Sequence, residues 1–198
     1  HKDIAKRIPS RMMVAADGPD FCQPECIDAV FLKHLQDKAA TITGNTVIVL
    51  HQIGSHGPSY WLRYPPERET FTPACKTPEL TECSTEEIVN AYDNTIAYTD
   101  HFLTQVIDLL DQQPRVVPAM FYVSDHGESL GEAGMYLHGT PYFMAPEYQT
   151  HVPMVIWMSD RFRATLGMDG ACLAKGTGET VSHDNMFSTV LGLLDVAT

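Results

Sequence analysis

The sequence lacks any run of about 20 apolar residues, the length a membrane-crossing helix requires, so none of its 198 residues is expected to span a bilayer. Positive charge is also scarce. Lys plus Arg number 13 against 25 for Asp plus Glu, a net charge of -12. Phosphate-backbone binding needs a basic surface, so this balance excludes nucleic acid as a partner. It leaves room for a membrane-bound substrate held at one local site. There is no secretory signal, internal repeat or low-complexity tract. The chain opens at His1, inside a polar stretch, and reads as a piece of a longer protein.

Cysteines are few, five in all. Cys22 and Cys26 lie in DFCQPEC, and Cys75 and Cys83 in TPACKTPELTECS. Close pairs in loops point to disulfides and to an oxidising compartment such as a periplasm. Free thiols or a Cys-rich metal knot are the alternatives, although the spacing does not fit a zinc ribbon. Cys172 is left over, its partner expected outside the chain.

What is present is a pattern of alternating elements. Ile27, Val30, Phe31 and Leu35 predict a helix over Glu25–Ala40. The β-branched run Asn45–His51 reads as a buried parallel strand. A loop rich in Gly and Pro follows. From Ser84, a capping box with Glu87 opens the clearest helix, which Pro114 ends. Its expected core stripe is Ile88, Tyr92, Ile96, Thr99, Leu103, Val106 and Leu110. Ala119–Asp125 and HVPMVIWMS read as further strands, and SHDNMFSTVLGLLDV as a final helix starting near Ser182 or Asp184. Strands alternating with helices predict an α/β domain with a mostly parallel sheet flanked by helices. In such sheets ligands bind beyond the carboxyl ends of the strands. Tyr60, Trp61 and Tyr64 read as packing residues rather than a headgroup clamp, and the scattered methionines as core filler. Glu86 and Glu87 suit the positive end of a helix dipole.

The stretch YVSDHGESLGEAG, Tyr122–Gly134, carries two incompatible signatures. Gly-Glu-Ser-Leu-Gly matches the nucleophile elbow of esterases, with Ser129 as nucleophile. The elbow needs a strand followed by a helix, and Gly131, Gly134, Gly139 and Pro141 break any helix downstream. Its triad would draw on Asp160 or Asp169 and on His183. Ser-Asp-His-Gly-Glu instead places a carboxylate and an imidazole at a strand end, where both converge on one ion as the chain turns at Gly127. Carboxylate oxygen plus imidazole nitrogen suits zinc. His51, His56, His138 and Glu128 follow predicted strands at the same edge, which favours a metal or phosphate site.

SHGPSYWLRYPP, FTPACKTPELTEC, VNAYDNTIAYTD, YVSDHGESLGEAGMYLHGTPYFMAP and THVPMVIWMS together resemble the lipid A phosphoethanolamine transferases, which include the transferable colistin-resistance enzymes. The resemblance runs from about Arg7 to the end of the chain. It implies an alkaline phosphatase/sulfatase-like fold, and a periplasmic catalytic domain carried by an inner-membrane protein. It further implies a zinc-bound threonine that takes phosphoethanolamine from phosphatidylethanolamine and passes it to a lipid A phosphate, weakening polymyxin binding. By position, Asp125 and His126 match zinc ligands. His56 and His138 match histidines at the transferred phosphate, one of which protonates the leaving oxygen. Glu128 matches an acidic residue that contacts the ethanolamine or a second zinc. Cys75 and Cys83 match one family disulfide, and Cys22 and Cys26 another.

The resemblance places the threonine and a glutamate ligand upstream of His1, together with the membrane helices. A further family disulfide has no counterpart at His1–Ala5. Residues 1–198 are thus expected to form the C-terminal part of a single periplasmic catalytic domain, inactive and weak in zinc binding when isolated. The alternatives are a phosphoglycerol transferase, sulfatase or phosphodiesterase on the same fold, a serine esterase using Ser129, or a part that only binds.

Overall fold

The computed structural model describes residues 7–196. They fall into two compact units, one running through Leu35 with Val49–Phe102, the other comprising Gln36–Ile48 with the residues from Leu103 onward. The expected departure at His1–Ala5 lies outside the described residues.

In the first unit, the Cys22–Cys26 disulfide closes a small turn. Helix α1 therefore begins at Val30 rather than Glu25 and runs to Ala39. Turn bonds from Val30 N–H to Ile27 and from Phe31 N–H to Asp28 lead into it. A core forms from Ile27, Ala29, Tyr64 and Tyr98, with Leu32 and Trp61 packed against it. Tyr60 is also buried and meets Tyr92 edge-on, with ring centroids 5.5 Å apart. Packing is thus the role of Tyr60, Trp61 and Tyr64.

Helix α2 spans Thr85–Asp111. Its capping box is formed. Ser84 N–H donates to Glu87 Oε2 at 2.8 Å, and Glu87 N–H donates to Ser84 Oγ at 3.3 Å. The buried stripe differs from expectation: Ile88, Ala91, Thr95, Tyr98, Phe102 and Val106 are buried, whereas Ile96 is 45% exposed. The stripe is turned about one position from the expected one, and Asn94 and Thr95 are buried on it among Ile88, Ala91, Tyr98, Phe102 and Val106. Buried Asn94 accepts from the backbone N–H of Thr70 and Phe71, at 2.7 and 2.8 Å, and donates to the Phe71 carbonyl. A second disulfide, Cys75–Cys83, lies in the loop before α2. Cys75 N–H bonds the Glu87 carbonyl and ties that loop to the helix. Cys172 is free and exposed.

In the second unit, β1 (Ala119–Val123) pairs with β4 (Met154–Met158) in antiparallel register, from Ala119 opposite Met158 to Val123 opposite Met154. Between them lie the short antiparallel pair β2 (Ser129–Leu130) and β3 (Tyr136–Leu137), and the four-residue helix α3 (Glu147–Thr150). Helices α4 (Asp160–Thr165), α5 (Gly170–Gly176) and α6 (Asn185–Leu193) follow. The mostly parallel sheet is not found among the described residues. That expectation took apolar, β-branched runs as strands covered on both faces. Met154, Val155 and Ile156 are instead 39–42% exposed, and Asn45–His51 forms no strand, with Val47 and Val49 exposed. No described helix is long and apolar enough to cross a membrane.

Candidate metal and phosphate site

The site is built where β1 ends. Ser124 N–H makes the last bond across to β4, at the Pro153 carbonyl, and Asp125 and His126 leave the ladder just beyond it. Gly127 then turns the chain against α3. Its N–H donates to the Gln149 carbonyl at 3.0 Å, and a Cβ there would stand 2.0 Å from the Tyr148 carbonyl oxygen. Only glycine permits that approach. The close fit fixes where His126 and Glu128, on either side of Gly127, can project.

Four chemistry-bearing side chains gather there. His126 and His138 stack with ring centroids 3.8 Å apart and planes 29° from parallel. Glu128, buried at 6% exposure, holds its Oε1 3.1 Å from His138 Nδ1. Single donor atoms of His126, Glu128 and His138 all lie within 4.8 Å of one another. The Asp125 carboxylate approaches His126 Nε2 at 3.8 Å and is largely exposed. His126 Nδ1 faces the Gly127 carbonyl at 3.0 Å. A carbonyl only accepts, so this contact places the proton on Nδ1 and makes Nε2 the lone-pair nitrogen. Two imidazoles and carboxylate oxygens form a donor set that suits a zinc-like ion, which binds such atoms at roughly 2.0–2.2 Å.

A cavity of about 340 Å³ opens beside these groups, lined by Asp125, His126, His138, Thr140, Gln149 and His183 among others. His183 points its Nε2 at the Ser124 carbonyl, 2.8 Å away. Sequence reading considered His183 only as an esterase partner. Its position ahead of α6 carries no local signal for this cavity, because a contact spanning 59 residues brings it there.

The esterase reading is corrected. Ser129 is 0% exposed, lies on β2 rather than on a strand-to-helix turn, and accepts a 2.9 Å bond from Gln149 Nε2. Its supposed partners are engaged elsewhere: Asp169 caps α5 and Asp160 pairs with Arg163. A hydroxyl sealed from solvent and held by an amide cannot reach a substrate carbonyl.

His51 and His56 belong to the first unit. His56 sits in the loop after His51. Its Nδ1 is 2.7 Å from the Gly57 carbonyl, its N–H bonds Ile53, and its own carbonyl accepts from Arg63.

Comparison with known proteins gives these groups a context. A phosphoethanolamine transferase, EptA of Salmonella typhimurium, is 46% identical over all of this chain, which covers 37% of that protein. The phosphatidylethanolamine transferase Mcr-1 of Escherichia coli is 40% identical over 87% of the chain and 31% of its own length. The integral membrane lipooligosaccharide phosphoethanolamine transferase A of Neisseria meningitidis superposes with a TM-score of 0.93 at 43% identity, over 98% of this chain and 37% of that one. The chain therefore spans about a third of the length of these relatives, and its fold is theirs over that span. The sulfatase family model matches residues 6–196, and the chain belongs to the sulfatase family.

Proposed function

We propose that this chain supplies half of the active site of a zinc-dependent phosphoethanolamine transferase, as the C-terminal part of a periplasmic catalytic domain in an inner-membrane protein. The donor would be phosphatidylethanolamine and the acceptor a lipid A phosphate, with resistance to polymyxins as the outcome. The observation that carries this reading is the convergence of His126, Glu128 and His138 near the end of β1, with the Asp125 carboxylate 3.8 Å from His126 Nε2, beside a cavity. The names and folds of the similar proteins point the same way.

Asp125 and His126 would hold the ion, together with the threonine and glutamate that the resemblance places upstream. Bound zinc would lower the nucleophile's pKa and neutralise charge on the phosphoryl oxygens. Glu128 and His138 would face the phosphoethanolamine, the buried carboxylate giving the ammonium group an anionic partner. We assign the proton for the departing oxygen to His56, one of the two histidines that the resemblance places at the transferred phosphate. In the first half-reaction the deprotonated nucleophile would bond to phosphorus as the phosphorus–oxygen bond to diacylglycerol breaks, and His56 would give a proton to the leaving alkoxide.

The test is release of diacylglycerol from a fluorescent phosphatidylethanolamine by the full-length protein, followed by mass spectrometry of lipid A. Phosphoethanolamine on lipid A in the wild type, absent in Asp125→Ala, supports the reading. Transfer of phosphoglycerol, or unaltered transfer by Asp125→Ala, contradicts it.

A further inference from the structure

His56 is held from two sides by buried charges that lie outside the site itself. Asp28, only 5% exposed, accepts the backbone N–H of Ile53 at 2.9 Å and of Gly54 at 3.0 Å. The Ile53 carbonyl in turn accepts the His56 N–H at 3.2 Å. Gly54 adopts φ +54°, so the turn between the clamp and the histidine uses a conformation that favours glycine. On the other side, Arg63, 7% exposed, donates its Nε–H to the His56 carbonyl at 2.8 Å and pairs with Glu25. The Gly57 carbonyl holds the ring at Nδ1, 2.7 Å away.

Burying a carboxylate is costly unless hydrogen bonds compensate. Here burial pushes the Asp28 carboxyl up, while the Ile53 and Gly54 amides, Arg63 and His51 oppose the shift. Two of those compensating bonds exist only while the loop keeps this conformation. The charge is thereby spent on the geometry of one short loop.

We infer that Asp28 and Arg63 are positioning residues for His56, clamping the backbone on either side of it so that its imidazole keeps one orientation. The inference rests on the role of His56 proposed above. Asn at position 28 offers one acceptor where two N–H groups need them, and its amide donors face those same N–H groups. Lys at position 63 keeps the charge but loses the planar fork that serves the carbonyl and Glu25 together.

The experiment measures diacylglycerol release by the full-length protein, comparing wild type, Asp28→Asn, Arg63→Lys, His56→Ala and the Asp28→Asn/His56→Ala double variant. A small misplacement of a catalytic group costs up to about 100-fold in rate. Asp28→Asn and Arg63→Lys should each lower kcat by about 10- to 100-fold with KM little changed. The Asp28→Asn effect should vanish in the His56→Ala background, because a residue acting only through another is non-additive with it. Hydrogen exchange of the Ile53 and Gly54 amides should quicken in Asp28→Asn while the α2 amides stay protected, which separates a loosened loop from an unfolded domain. Wild-type kcat in both Asp28→Asn and Arg63→Lys, or an equal loss with and without His56, overturns the inference. So does unchanged exchange at Ile53 and Gly54. Full activity in His56→Ala refutes the role of His56 and the inference with it. A wild-type protein that transfers no phosphoethanolamine refutes the proposed function alone, and the exchange measurement then decides the clamp.

Discussion

Asp125 and Ser129 stand four positions apart and have opposite fates. Asp125 leaves the strand end for solvent and the proposed ion site, while Ser129 turns inward to Gln149. Asp125→Ala should abolish polymyxin protection by the full-length protein. Ser129→Ala should retain much of it, losing about 1 kcal/mol of stability with the buried hydrogen bond. The reverse ranking in a polymyxin susceptibility assay would contradict this account. Asp28 gives a second test at this scale. Its folded pKa lies above the ordinary value because burial outweighs the Ile53 and Gly54 amides, Arg63 and His51, and Tyr98 is the further titratable group it acts on. The folded state then holds the proton more tightly than the unfolded chain. The associated stability is complete below the ordinary carboxylate range and falls as pH rises through the folded pKa. Denaturation of wild type and Asp28→Asn across a pH series should show that decline in the wild type only. A wild-type stability that rises relative to Asp28→Asn over the same range would contradict it. The Asp-His pair at a strand end was legible in the sequence, since local order places both side chains. The Asp28 clamp and the His183 contact were not, because each joins segments far apart in the chain with no periodic signature between them.

At the scale of elements, the loop from Asp125 to Glu128 and helix α3 act as one part. A Cβ at position 127 would overlap the Tyr148 carbonyl. Gly127→Ala must therefore push α3 and the strand-end loop apart. It should lower the metal content of the full-length protein although residue 127 contributes no donor; full metal content in that variant would contradict the account. Helix α2 offers a control, since its cap contributes no proposed site residue. Ser84→Ala removes the cap and should cost about 1 kcal/mol in denaturation, without changing metal content. The bonds from Ser84 hold the Glu87 carboxyl below its ordinary value, so the cap's contribution fades as pH falls through that lowered pKa. Helix α2 was readable because its capping box and length are local signals. Its buried face lies one position from the expected one, because Ile88, Ala91, Tyr98, Phe102 and Val106 also recur at helical spacing and Asn94 and Thr95, buried among them, carry no hydrophobic signal. Strand direction was misread for a related reason. An apolar run marks a candidate strand, whereas pairing direction depends on which segment lies alongside, here β4 against β1.

For the whole molecule, the two disulfides fit an oxidising, extracytoplasmic setting, and the chain covers about a third of relatives whose names include an integral membrane transferase. The Cys75–Cys83 crosslink should contribute about 2–3 kcal/mol by restricting the unfolded chain. Mass mapping without reduction should recover it, and free thiols after periplasmic expression would contradict the compartment. The isolated chain should bind zinc weakly, since under the proposed assignment only Asp125 and His126 of this chain would ligate it, without the two upstream donors that the resemblance implies. The most direct measurement is therefore the zinc content of the full-length protein after exhaustive dialysis, in wild type and in His126→Ala. The account predicts stoichiometric zinc in the wild type, lost together with diacylglycerol release in His126→Ala. Stoichiometric zinc and undiminished turnover in His126→Ala would contradict it.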